Sequence, residues 1–352
     1  MYMQRILLPI VFCVFWQLPV FAQLGGQATY EFLNLSPSAR VSALGGNLIT
    51  VRDDDVNLAY ANPAMLNPLV HQQLSFNHNF HFGGISNGYA AYGHHLEKAQ
   101  MSLHGGIQYV NYGTFDLTND RGEIEGEFKA SEYAFVLGAA RMVDERLALG
   151  ANLKMISSRL ESYTSLGFTS DLAAMYIDTA KNINISLVFR NVGSQVQTYR
   201  EVNFEPLPFD LQIGISKKLR YLPFRFSVIY HHLDRWNVIY DDPSRENNTI
   251  SFGDIDTERS PTSIWIDNFF RHLIFNGEFL LGKKENFRLR LGYNHYMRKE
   301  LTVENFRSLA GFSFGFGVKI NRFRLDYGRT NYHLAGGINH LTISTNLQEF
   351  KK

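Results

Sequence analysis

Phe287-Arg288-Leu289-Arg290-Leu291-Gly292-Tyr293 decides the fold. Successive side chains of an extended strand point to opposite faces, so the stretch places Phe, Leu, Leu and Tyr on one side and two arginines on the other. The same alternation sets Leu74, Phe76, His78, Phe80 and Phe82 against Ser75, Asn77, Asn79 and His81, and returns in Ile183 to Phe189 and Phe224 to Tyr230. The alternating segments run for ten to fourteen residues, where a sandwich strand runs for about five or six. Long strands with one apolar and one charged face suit a transmembrane β-barrel, lipid outside and a polar lumen inside.

Working outward, strands are expected near 74–83, 86–96, 99–112, 129–143, 146–160, 165–178, 182–192, 207–218, 223–233, 272–282, 286–297, 308–321, 322–333 and 336–347. That is an all-β, antiparallel outer-membrane barrel of about fourteen strands. Short turns at 143–146, 179–182 and 321–322 alternate with longer loops at 113–128, 193–206, 234–271 and 298–307. The parity expects both termini in the periplasm and the long loops at the cell surface. The longest loop, 234–271, carries Trp236, Tyr240, Trp265, Phe269 and Phe270 among many charges. Aromatic side chains in a polar loop suit a protein contact, or a loop folded over its own barrel mouth.

Composition agrees. With 34 Lys+Arg against 33 Asp+Glu there is no basic excess for nucleic acid. Aromatics reach 14% beside 28 Gly, and the single Cys excludes a disulfide framework and a cysteine-rich zinc site. No long apolar run follows the first two dozen residues, which excludes a bundle of spanning helices. Residues 1–22 read as a signal peptide: Arg5, an apolar run broken by Pro9 and Pro19, then Val20-Phe21-Ala22. Its removal would take away Cys13. Residues 23–72 lack the period of two and contain Pro breaks and short helical pieces. About fifty residues would be marginal alone without disulfides, so a plug or hatch inside a barrel formed by 73–352 is expected.

The hatch phrase Asn62-Pro63-Ala64 ahead of fourteen strands resembles the FadL-like outer-membrane family. Leu33-Asn34-Leu35-Ser36-Pro37-Ser38-Ala39-Arg40, Ala43-Leu44-Gly45-Gly46-Asn47 and Val51-Arg52-Asp53-Asp54-Asp55-Val56-Asn57 are similar to its PorV/PorQ branch. Gly106-Ile107-Gln108-Tyr109-Val110-Asn111-Tyr112-Gly113 and Gly126-Glu127-Phe128-Lys129-Ala130 are too. The similarity runs over essentially the whole mature chain and is densest in 29–70 and 104–133. The resemblance implies a non-enzymatic barrel of the type IX secretion attachment complex of Bacteroidetes. It would hold a PorZ-like surface protein while PorU and PorV process cargo and attach it to lipopolysaccharide. The alternative within the same fold is a FadL-like transporter or channel for hydrophobic solutes. Fold alone does not separate the two.

Enzyme patterns fail on context. Gly84-Ile85-Ser86-Asn87-Gly88 and Gly311-Phe312-Ser313-Phe314-Gly315 match G-x-S-x-G, but a nucleophile elbow needs a strand, a turn and a helix. Near the end of a strand, Gly277 to Lys284 resembles a P-loop, yet Lys284 replaces the magnesium-binding hydroxyl. His94-His95 and His231-His232 are adjacent, so as strand residues they point to opposite faces and no metal site is expected from them. Asp53-Asp54-Asp55 with Asn57 offers oxygen ligands at a spacing calcium could use, but without the Gly and distal Glu of an EF-hand. The competing reading pairs these acids with lumen arginines such as Arg288 or Arg290.

Overall fold

The computed structural model describes residues 28–200, 203–239, 260–301, 308–333 and 336–351, so the expected signal peptide with Cys13, and Tyr240, lie outside the described residues. Among those, fourteen antiparallel strands form a closed barrel. They are β1 (Gln73–Phe80), β2 (Ser86–Leu96), β3 (Met101–Thr118), β4 (Ile124–Asp144), β5 (Leu147–Leu160), β6 (Tyr163–Asp178), β7 (Ile183–Gln197), β8 (Asp210–Lys218), β9 (Phe224–Tyr230), β10 (Leu273–Leu281), β11 (Phe287–Asn294), β12 (Phe312–Ile320), β13 (Phe323–His333) and β14 (Gly336–Asn346). Each strand pairs with its neighbour in the chain, and β1 closes on β14 from Gln73 opposite Asn346 to Phe80 opposite Asn339. Closure removes the exposed strand edge.

The alternation sets the two faces. On β12, Phe312, Phe314 and Phe316 are exposed on the outer wall while Ser313 between them is buried. On β11, Leu289 and Leu291 face out and Arg288 and Arg290 are buried inside. Among the described residues no helix is long and apolar enough to cross a membrane; the strands supply the apolar band.

Two expected loops differ. The span 113–128 is mostly strand: β3 and β4 stay paired out to Thr118 opposite Ile124. Stacked rings of Phe115 and Phe128, 5.3 Å apart, sit on this ribbon, and such cross-strand pairs stabilise a hairpin even where charges interrupt the apolar pattern. At 18 and 21 residues, these strands exceed the roughly 9–11 a bilayer requires, so the hairpin projects past the barrel. The loop 234–271 ends in a helix, α2 (Pro261–Arg271), and a short α3 (His295–Glu300) follows β11. Ser260 caps α2 by accepting from the Ser263 N–H, with Pro261 in the first turn.

Inside the barrel lie α1 (Ala39–Ala43) and 3-10 turns at Glu31–Asn34, Val56–Tyr60, Pro63–Met65 and Pro68–Val70. The last three and α1 each start at a capping side chain: Ser38, Asp55, Asn62 and Asn67 accept from backbone N–H groups two or three residues on. This chain of caps and prolines is why the segment shows no strand period. Its Leu44, Leu48, Ile49, Leu58 and Met65 form one apolar core with Ala148, Met175, Val188, Ile229 and Ile274 of the wall. The inner wall is therefore apolar in patches rather than polar throughout, because it must match the segment it encloses.

Asn62-Pro63-Ala64 has a clear structural role. Asn62 donates to the Ile49 carbonyl at 2.6 Å and accepts from the Ala64 N–H at 2.8 Å. The turn lies against Gly150 of β5, where a methyl group would come within 2.5 Å of the Ala64 nitrogen. Gly150→Ala is expected to destabilise the folded barrel by about 1–3 kcal/mol through overpacking, read as a lower urea midpoint in detergent. An unchanged midpoint would show that this contact yields at no cost.

Candidate functional site

Two regions concentrate chemistry. The first joins the inner segment to the wall near the short-turn end. At its centre five guanidinium groups (Arg40, Arg225, Arg288, Arg290, Arg324) meet five carboxylates (Asp53, Asp54, Asp55, Glu278, Asp326). Arg40 of α1 is 1% exposed and reaches Asp53 at 2.7 Å and Glu278 at 3.0 Å. Glu278 of β10 also receives Arg225 at 2.5 Å and Arg290 at 3.0 Å, and Arg290 continues to Asp326 at 2.5 Å. Arg324 grips Asp54 at 2.8 Å. Arg288 does face Asp53 and Asp54, at 3.7 and 3.9 Å, whereas Arg290 serves Glu278 and Asp326 instead. The carboxylates of Asp53 and Asp54 thus spend their lone pairs on arginines.

Burial raises the Asp53 carboxyl, but Arg40, Arg288 and Arg225 outweigh it and hold the group well below the usual carboxylate range. Asp54 is likewise raised by burial and lowered further by Arg324. Burial leaves Asp55 raised, with Arg40 offsetting only part. A depressed folded value gives stability that is present above the unfolded value of about 3.9 and lost as pH falls below it. Asp55 has the opposite sign: its share is present at low pH and lost as pH rises through its raised value. Asp53 and Asp54 should dominate, so the thermal midpoint is expected to fall below about pH 4, and less steeply in Asp53→Asn. Equal slopes in the two proteins would reject the assignment.

A second buried pair sits on the wall, where sequence reading gave no signal beyond two polar residues on inward positions. Lys154 and Asp171 are 0% exposed and 2.8 Å apart. The Lys154 ammonium lies 4.6 Å from the centre of the Tyr60 ring, so this pair also fastens the inner segment.

The other region is the long-loop mouth. Trp236, remote in sequence, joins Trp265 and Phe269, which lie one turn apart on α2: the indoles are 5.5 Å apart and Trp265 stacks on Phe269 at 5.8 Å. Asn268 fastens α2 to the chain beside it, accepting from the Val238 N–H at 3.1 Å and donating to the Trp236 carbonyl at 2.5 Å. Trp265 is 55% exposed and Trp236 45%, with Ile264, Ile266 and Phe270 also exposed. Those are unusual exposures for side chains of this size.

His231 and His232 depart from expectation. β9 ends at Tyr230, and His232 takes a left-handed backbone, φ 55°. The turn cancels the alternation and brings the two rings to 4.5 Å. At 94–95 the strand persists; His94 packs on His71 with ring centres 4.7 Å apart, while the His95 ring meets Ser102 at 2.9 Å. Of the G-x-S-x-G serines, Ser313 lies within β12 and accepts from the Gly45 N–H at 2.8 Å, a packing role.

A depression of about 500 Å³ crosses β3 to β7 on the outer wall, with Ala139, Ala151 and Ala174 beside the taller Leu149, Leu172 and Phe189. It opens toward the lipid-facing side, not along the barrel axis.

No protein-family model matches this chain, and no curated protein does. Solved structures do. The CymD monoaromatic hydrocarbon channel aligns over 88% of this chain and 96% of its own at 14% identity, with a TM-score of 0.50. The Pseudomonas putida toluene transporter TodX aligns over 88% and 96% at 12% identity, TM-score 0.47. A Pseudomonas aeruginosa FadL homologue aligns over 88% and 98% at 9% identity, TM-score 0.47. At these identities the likeness is one of fold. The closed fourteen-stranded antiparallel barrel is thus a fold this chain shares with the CymD hydrocarbon channel.

Proposed function

We propose that this chain is a non-catalytic outer-membrane barrel of a type IX secretion attachment complex, plugged by its own N-terminal segment, whose long-loop mouth holds a PorZ-like surface protein beside PorU and PorV. The short turns and both termini then face the periplasm and the mouth faces out. The observation that carries this reading is the fastening of the plug: Leu33, Leu44 and Ile49 have no exposed surface, and the Arg40 cluster ties the segment to β9, β10, β11 and β13. The exposed aromatic cluster on α2 supports a docking role, since buried Trp and aromatic anchors dominate protein contacts. The partner names come from the likeness of residues 29–70 and 104–133 to the PorV/PorQ branch.

A second reading is a FadL-like outer-membrane channel for hydrophobic solutes. Among comparisons with other proteins this is the reading that gains support, through the fold shared with a monoaromatic hydrocarbon channel. In that case the plug would have to shift to open a path, against its ion pairs and core.

One experiment separates them. Tagged protein is recovered from detergent-solubilised outer membranes and its companions are identified. Recovery with a large surface protein, PorU and PorV is the expected result. A barrel recovered alone, in cells whose uptake of a monoaromatic hydrocarbon depends on it, would replace the first reading with the second.

A further inference from the structure

We propose that Asp210, His231 and His232 form a zinc-type divalent-cation site at the long-loop mouth, with one coordination position left open. This inference stands independently of the secretion or channel reading. The ligand atoms of the three residues all lie within 4.8 Å of one another. His232 Nδ1 and Asp210 Oδ1 are 3.4 Å apart, close to the edge of about 3.3 Å that follows from a tetrahedral centre with bonds of about 2.0–2.1 Å. Asp210 opens β8 and its Oδ1 also accepts from the His232 N–H at 2.7 Å, which fixes the carboxylate against the turn.

His231 supplies the second observation. Its residue is 6% exposed, and its Nε2 has no hydrogen-bond partner. The Arg271 backbone also acts on this ring, in the sense of a carbonyl accepting from it. In the Nδ1–H tautomer Nε2 carries a free lone pair, as a metal-binding imidazole needs. A buried acceptor with nothing to accept costs stability, and a cation would satisfy it. Two imidazoles and one carboxylate suit a borderline ion such as zinc; calcium and magnesium prefer all-oxygen sets.

Positive groups oppose the cation: Arg190 stands opposite Asp210 in the sheet, and Arg235 is the nearer to His232. Arg235 Nη2 lies 3.2 Å from His232 Nδ1. The Arg235 side chain is 34% exposed and so has room to swing toward solvent. It acts as a resident positive charge that an incoming ion displaces, and its removal should strengthen binding.

The test uses the full chain in detergent micelles, purified without a polyhistidine tag, and titrated with Co²⁺ as a spectroscopic probe for zinc. One equivalent per chain should bind with visible d–d absorption and be displaced by Zn²⁺. Asp210→Asn, which keeps the acceptor for the His232 N–H, and His231→Ala should each weaken binding roughly 10-fold or more, the loss typical even of an outer-shell partner. Arg235→Ala should bind several-fold more tightly. If His231→Ala does not fold, Asp210→Asn and Arg235→Ala still decide. Absence of the cobalt spectrum, or affinity unchanged in Asp210→Asn and Arg235→Ala, would overturn the site.

Discussion

Arg40→Met should cost the barrel about 3–5 kcal/mol, the usual penalty for deleting one partner of a buried ionic cluster. The mechanism is uncompensated charge. Arg40 is fully buried and serves Asp53, Asp55 and Glu278 together. With methionine the side-chain volume is nearly kept, but five carboxylates face four guanidinium groups, and Glu278 and Asp326 among them are almost wholly buried. Urea unfolding in detergent would report the change in midpoint. Pairing the substitution with Glu278→Gln removes a negative charge as well, and part of the loss should return, since neighbouring members of one network do not add. Additive losses in the double variant would mean that the two side chains act separately and that the cluster is not one unit.

The second large effect concerns the mouth. Trp236→Ala with Trp265→Ala should leave the barrel folded but release the surface partner. Each anchor of a docking surface is worth at least about 2 kcal/mol when truncated, so the pair should weaken retention by roughly 10²–10³-fold. Both indoles are substantially exposed, and their loss should move the unfolding midpoint little. Retention equal to the wild type at unchanged stability would remove α2 from the interface and send the search to the β3–β4 hairpin.

The barrel wall was legible because lipid enforces its alternation. Every strand must present apolar side chains outward, so Phe287 to Tyr293 or Leu74 to Phe80 declare their faces without help from the rest of the chain. The number of strands followed from that rule. What was not legible depends on contacts across the lumen. Nothing local marks Arg40 as the partner of Glu278, 238 positions away, or Lys154 as a buried ammonium. The extension of β3 and β4 keeps the alternation in Phe115, Leu117, Ile124 and Phe128, but its acids and glycines fit a loop equally well. The helix at 261–271 had a start signal in Ser260-Pro261, but a loop rich in charges and aromatics concealed it. At His231-His232 alternation does not hold, because β9 ends at Tyr230 and both residues lie beyond it.

The bond from the Ala39 N–H to Thr342 Oγ1, 2.8 Å long, spans 303 residues. α1 also presses on β13, where a methyl on Gly328 would meet the Ala39 oxygen at 2.2 Å. The part of the chain synthesised early is thus completed by strands synthesised last. Contacts of such long separation are slow to form. Wrapping the late strands around a segment already in place, with β14 closing on β1 last, would make them without threading a finished wall. In that order the N-terminal segment serves as the mandrel on which the cylinder is wound, before it is anything else.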